Sequence, residues 1–267
     1  MKRLALLTLA LPLLASARPA ASPAKTEVTW LGHAAFLVKT PQGIVLAIDP
    51  WISNPANPDK EALQKLSRVD FILVTHGHFD HVGDAVALAQ KTGAKLVATF
   101  DLMQVLVGAG YPKEQATMAT AGNVGGTIQL TPELAVSFVP AVHSSTFRKG
   151  DAAPIEPAGT PTGLVVQVKG GPTIYHTGDT AATSDMRLVG FLFPIDVMLA
   201  CIGGHFTMDP AGAALAASLV RPKVVVPMHY GTFPLLAGTP AQFEAEMRKR
   251  YPKAKVAAMK PGETRTF

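Results

Sequence analysis

The chain has 267 residues, of which 48% are hydrophobic and 16% charged, with a formal charge of +5. That composition supplies a sizeable core and excludes intrinsic disorder. The basic side chains are scattered with no run of five or more, so no nucleic-acid partner is indicated, and a single cysteine, Cys201, leaves no disulfide within the chain.

In chain order the first element is an export signal. Lys2 and Arg3 precede the apolar run "LALLTLALPLLA", and the small residues "ASA" follow at 15–17. These are the n-region, h-region and cleavage site of a secretory signal peptide. The run is broken by Pro12 and is too short to cross about 30 Å of hydrocarbon. Residues 1–21 are therefore expected to be a signal, cut after Ala17 or shortly beyond, with no stable membrane insertion. Residues 22–267 are expected to form one domain, periplasmic or secreted.

From Glu27 the pattern turns to short β-rich runs, "VTWL", "AFLVKT" and "IVLAID", which read as a meander. "DFILVT" reads as a buried strand, "DAVALAQKTG" as a helix ended by Gly93, "KLVAT" as a strand and "LMQVLVGAG" as a helix. Next come the strands "TIQL" and "AVSFVPAV", then "GLVVQVK" and "TIYHTG" around a Gly-Gly-Pro turn. The last third alternates strand and helix through "DVMLACI", "PAGAALAASLV", "KVVVPMH", "PAQFEAEMRKRY" and "KVAAM". Strands first and βα alternation later point to a layered α/β fold. The longest irregular segment runs from Ser144 to Pro161, a length usually reserved for functional or mobile loops.

The chemistry concentrates in "THGHFDHVGD", residues 75–84, which holds three of the eight histidines beside two aspartates. A strand ending at Thr75 would deliver His76 and His78 to one metal ion, while Asp80 and His81, at the start of the following helix, face a neighbouring position. Zinc is usually four-coordinate, and a catalytic site keeps one position open, so each set needs further ligands. The chain offers His143 after "AVSFVPAV", Asp179 after "TIYHTG" and His229 after "KVVVPM", each at the C-terminal end of an expected strand, where α/β sheets present their sites. Singly these are weak signals; jointly they point to a metal centre.

H-x-H-x-D-H followed by a histidine, an aspartate and a histidine resembles the metallo-β-lactamase superfamily. More narrowly, "GHAAFLV", "IDPWISNP", "THGHFDHVGDA", "HSS", "YHTGDT", "IGGHFTMDP" and "PMHYGTFP" resemble a branch of metal-dependent hydrolases similar to the ascorbate-6-phosphate lactonase group. The resemblance covers nearly everything from about Thr26 onward; the signal peptide departs from it. It implies a four-layer αββα sandwich with a two-metal site at one edge of the sheets. It also implies that His76, His78 and His143 hold one ion and Asp80, His81 and His229 the other, with Asp179 bridging. Asp49, by the same resemblance, would accept a hydrogen bond from a ligating histidine; otherwise it is a turn aspartate before Pro50. Asp84 suits either that part or a helix N-cap. His33 is either a catalytic group at the site, contacting substrate or transferring a proton, or a loop histidine. His176 and His205 carry weaker signals, and Cys201 reads as inert core.

Two ions about 3.5–4 Å apart lower the pKa of a shared water so that hydroxide exists at neutral pH. On that reading Asp80 shuttles a proton and Tyr230 donates to the oxyanion. The bond cut is that of a lactone or other ester, or of a phosphodiester. True β-lactamase activity ranks lower, and a non-catalytic periplasmic metal-binding or sensing module is the alternative from another class. The expected cofactor is two divalent ions, with zinc first and manganese, iron or nickel also compatible with all-N/O ligation. The expected partner is a small molecule. Arg148 and Lys149 are either a solvated pair or a cationic mouth, and the second reading predicts an anionic substrate.

Overall fold

The computed structural model describes residues 25–150 and 152–267. The expected signal, with its cleavage site after Ala17, lies outside the described residues. Two seven-stranded sheets form the frame. In the first the order is Thr264–Thr266, Glu27–Gly32, Ala35–Lys39, Val45–Ile48, Phe71–Leu73, Lys95–Thr99 and Ala121–Gly122. In the second it is Lys255–Val256, Val224–Met228, Val197–Cys201, Thr173–His176, Thr162–Val168, Leu134–Pro140 and Thr127–Thr131.

The side-chain alternation of the strands sets the layers. In the first sheet Leu46, Ile48, Phe71 and Leu73 pack into the core shared with the second sheet. Their neighbours Ala47, Ile72 and Val74 point the other way, onto Leu88, Leu102 and Leu106 of the helices Ala85–Thr92 and Phe100–Ala109. Successive residues of a strand face opposite sides of a sheet, so a strand apolar at every position must be covered on both faces. Val197–Cys201, buried throughout, meets the same condition in the second sheet, where Ala213, Ala217 and Phe243 of the helices Pro210–Val220 and Pro240–Arg250 join the core. The result is the αββα sandwich.

Each sheet changes character partway across. Val45–Ile48 ends an antiparallel meander and pairs parallel with Phe71–Leu73; Thr173–His176 does the same with Val197–Cys201. The chain thus repeats one topology twice, although no period is visible in its sequence. Parallel strands present their C-terminal ends at one edge, and Asp49, His76, Asp179 and His229 each follow such an end. Among the described residues no helix is long and apolar enough to cross a membrane.

Two expectations on local structure change. Asp80 and His81 do not open the helix that follows; they lie in a separate turn of helix, Phe79–Val82, ended by Gly83 at φ 37°. The break lets the ligand-bearing turn set its own direction. The segment from Ser144 to Pro161 is not wholly irregular, since Thr146–Phe147 and Glu156–Pro157 pair as a short ribbon.

Candidate metal centre

The seven residues expected to ligate metal converge at the edge where the two sheets meet. Potential ligand atoms of His76, His78 and His143 lie within 4.8 Å of one another, as do those of His76, His81 and Asp179. A third set holds Asp80, His81 and His229 together with His33. Asp179 stands between them: Oδ1 is 3.3 Å from His81 Nε2, while Oδ2 is 3.0 Å from His229 Nε2 and 3.6 Å from His143 Nε2.

These close approaches leave atoms without partners. His81 Nε2, Asp179 Oδ1 and both ring nitrogens of His229 are buried and make no hydrogen bond. They are four of the seven such side-chain atoms among the described residues, so the deficit is focused at one point. A buried polar atom left unpaired costs about 1–3 kcal/mol. Convergent imidazole nitrogens and a carboxylate oxygen are donors that a divalent cation satisfies, so the residues present fit a metal.

One carboxylate orients both histidine sets. Asp49 Oδ1 accepts from the Thr75 N–H at 2.8 Å, and Oδ2 accepts from the Thr75 hydroxyl and from His81 Nδ1 at 2.7 Å each. Because the Thr75 hydroxyl gives its proton to Asp49, its oxygen receives His76 Nδ1–H at 3.0 Å. Hydrogen bonds at Nδ1 of both His76 and His81 leave Nε2 as the nitrogen that faces the centre. Thr75 carried no signal in the sequence, since a threonine ending a strand is common. Asp84 neither caps a helix with its side chain nor approaches the centre; it binds Ser53 through the backbone N–H at 2.7 Å and the hydroxyl at 3.1 Å.

His33, Asp49 and His229 hold positive φ angles of 53°, 43° and 57°. Such angles are uncommon outside glycine and cluster at functional sites. They also decide where neighbouring side chains go. Past His229 the chain turns so that Tyr230 packs on Trp30, with ring centroids 5.3 Å apart, and burial pushes its phenol up to about 12. The structure therefore does not bring Tyr230 into the cavity as an oxyanion donor. His33 does not line the cavity. Fully buried, it gives Nε2–H to Asp80 Oδ2 at 3.0 Å and accepts at Nδ1 from Thr232 Oγ1 at 3.0 Å. Of the three expected catalytic groups only Asp80 lines the cavity.

His176 is a strut between the sheets, with Nε2–H donating to Ala34 O at 3.0 Å and Nδ1 accepting the Gly178 N–H at 3.1 Å. His205 is exposed against Phe206. Burial pushes the Cys201 thiol up to about 11, as suits core. Ser145 does not face the cavity. Its hydroxyl accepts from the Gly77 N–H and donates to Ala158 O, tying the ribbon to the turn between His76 and His78. Any Cβ at Gly77 would collide with Ala158. Lys149 reaches Gly108 O at 3.2 Å, and neither it nor Arg148 is among the described residues that line the cavity.

Without metal the electrostatics are divided. Burial works against ionised Asp179, yet His229 and His81 overcome it and hold the carboxyl well below the usual range. Burial likewise opposes a charged His81, but Asp179 and Asp49 outweigh it and raise its pKa well above the ordinary value. Burial lowers His33 to about 4, and it also lowers His76 and His176. The sign for stability follows. Below pH 6.5 the unfolded chain takes up protons that folded His33, His76 and His176 refuse. His81 contributes its full stabilisation below 6.5 and loses it only as pH rises through its folded pKa. Asp179 contributes above 3.8 and loses its effect only as pH falls through its folded pKa. Each buried neutral histidine thus gives a slope of up to about 1.4 kcal/mol per pH unit. The Tm of EDTA-treated protein is expected to drop by about 5–10 °C from pH 7 to pH 5; a level Tm would contradict the neutral-histidine assignment.

The sequence profile described as a beta-lactamase superfamily domain matches residues 45–230. A UPF0173 metal-dependent hydrolase of Anaeromyxobacter sp. (strain K) is 59% identical over 253 residues, covering 94% of this chain and 90% of its own. One from Thermodesulfovibrio yellowstonii is 48% identical over 250 residues, covering 92% of this chain and 94% of its own. Among solved structures, Igni18, a metallo hydrolase from Ignicoccus hospitalis, superposes with a TM-score of 0.79 at 38% identity, over 91% of this chain and 98% of its own. The metallo-beta-lactamase fold protein YhfI from Bacillus subtilis superposes at 0.66 with 13% identity, over 91% of this chain and 99% of its own, a likeness of fold alone. Relatives this similar over nearly the whole chain, together with the convergent donors, place it in the UPF0173 metal-dependent hydrolases of the metallo-β-lactamase superfamily.

Proposed function

We infer that the chain is an exported hydrolase that holds two divalent ions and cleaves an ester, lactone or phosphodiester bond. The observation that carries this reading is the position of Asp179, whose two oxygens face histidines of both sets at the floor of one open cavity. His76, His78 and His143 would hold one ion, and Asp80, His81 and His229 the other, with Asp179 shared. When bound, such a pair supplies an activated water at neutral pH and positive charge for the oxygen that becomes anionic. The protein's own part is orientation and proton handling. Asp49 fixes His76 through Thr75 and His81 directly. Burial works against an ionised Asp80, and the hydrogen bond from His33 overcomes it, so the carboxyl stays well below its ordinary value. Asp80 is therefore an anion at neutral pH on the cavity floor, the form in which a carboxylate ligates a cation.

Protein isolated from its native host tests the reading in one preparation. It is expected to contain about two ions per chain and to begin between Arg18 and Ser22. It should also turn over a p-nitrophenyl ester, a lactone or bis-p-nitrophenyl phosphate in a chelator-sensitive way. Two ions without turnover of any of these would favour the metal-binding or sensing module, and a cytoplasmic protein beginning at Met1 would remove export.

A further inference from the structure

We propose that the part of the substrate away from the scissile bond is neutral and apolar, a chain or ring seated against Phe79, Phe206, Phe233 and Leu235; this rests on the hydrolase reading of the same site. The cavity has a volume of about 630 Å³, in the range of pockets that enclose a whole small molecule rather than a single reacting group. Its floor is polar, with Asp80, His143, Asp179 and His229; its walls are apolar. Phe79, Phe206 and Leu235 are 66%, 54% and 55% exposed. They come from three segments far apart in sequence, yet all converge on one mouth. Apolar groups gathered in water around a polar centre mark a ligand site. Part of the wall is held in advance, because Trp51 stacks on Phe233 with centroids 5.8 Å apart and meets Phe79 edge-on at 5.6 Å. A preformed surface loses little entropy when a ligand settles on it.

Charge bears on that tail as well. Among the described residues no lysine or arginine lines the cavity, and the charged side chains that do are the carboxylates of Asp80 and Asp179. A phosphate or carboxylate tail laid along the wall would be stripped of water with no cationic partner, which is costly. A hydrocarbon tail gains with each methylene removed from water. The wall therefore favours a neutral, apolar tail on whichever bond meets the centre.

Three p-nitrophenyl esters test this on the metal-loaded protein: the acetate, the hexanoate and the mono-adipate, which matches the hexanoate in length but ends in a carboxylate. The hexanoate is expected to exceed both others in kcat/KM by about tenfold or more. Phe206→Arg, a change on an exposed loop, is expected to shrink the hexanoate-to-adipate ratio about tenfold. A binding readout runs beside turnover, using the tryptophan fluorescence change caused by N-phenylhexanamide and by its carboxylate-tipped counterpart, with the neutral amide expected to bind at least about tenfold more tightly. An adipate ester cleaved as well as the hexanoate, or equal binding of the two amides, overturns the proposal. If no ester is cleaved while the neutral amide alone binds, ester hydrolysis is what has failed and the neutral, apolar class stands.

Discussion

Asp179→Ala is expected to reduce bound metal from about two ions toward one per chain and to lower turnover by more than about a hundredfold. The carboxylate is buried, with His81, His143 and His229 all within 3.6 Å of its oxygens. Among the described residues no other carboxylate touches histidines of both sets. Loss of a partner outside the ligand shell already costs 10–100-fold in metal affinity or activity; loss of a shared ligand exceeds that. His143→Ala is the matched control, because it weakens the site with His76 and His78 but leaves Asp80, His81 and His229 in place. Elemental analysis and steady-state kinetics on both variants, with circular dichroism to check the fold, decide the point. Two ions and full turnover in Asp179→Ala would make the shared-ligand assignment wrong.

The second large effect is expected at Asp49, outside the cavity. Asp49→Ala leaves the Thr75 N–H, the Thr75 hydroxyl and His81 Nδ1–H buried without an acceptor. It also puts alanine at φ 43°, a backbone region that aspartate tolerates better than alanine does. Together these are expected to destabilise the protein by about 3–5 kcal/mol, a fall in Tm of about 10 °C. Asp49→Asn separates fold from function. Asparagine tolerates this backbone region and keeps one oxygen acceptor, so most of the stability should remain. Its NH2 group, however, opposes the donor from Thr75 or from His81, and the tautomers that aim Nε2 at the centre are no longer held. Metal affinity, read by competition with a chromophoric chelator, is expected to fall 10–100-fold. Wild-type affinity in Asp49→Asn would show that the threonine relay does not orient the ligands.

The sequence by itself determined the family, the layered α/β class and the set of metal-binding candidates. His76, His78, Asp80 and His81 lie within six positions, and short-range spacing survives any folding of the rest. His143, Asp179 and His229 were readable because each follows an apolar β run, and a strand end at a sheet edge is a local property. What only the tertiary structure decided depends on backbone angles and on pairings between distant segments. The left-handed turn at His229 sends Tyr230 onto Trp30, although in the sequence it stands beside a ligand. Thr75 becomes part of a relay only because Asp49, 26 residues earlier, lies across from it. Arg148 and Lys149 follow ligand His143 closely, yet the ribbon carries them away from the cavity. Phe79, Phe206 and Phe233 read singly as ordinary apolar residues, and they form a wall only where the helical turn at Phe79 meets the loops at Phe206 and Phe233. Neighbours along the chain share a direction only until the backbone turns, and no residue type records where a partner over a hundred positions away will be.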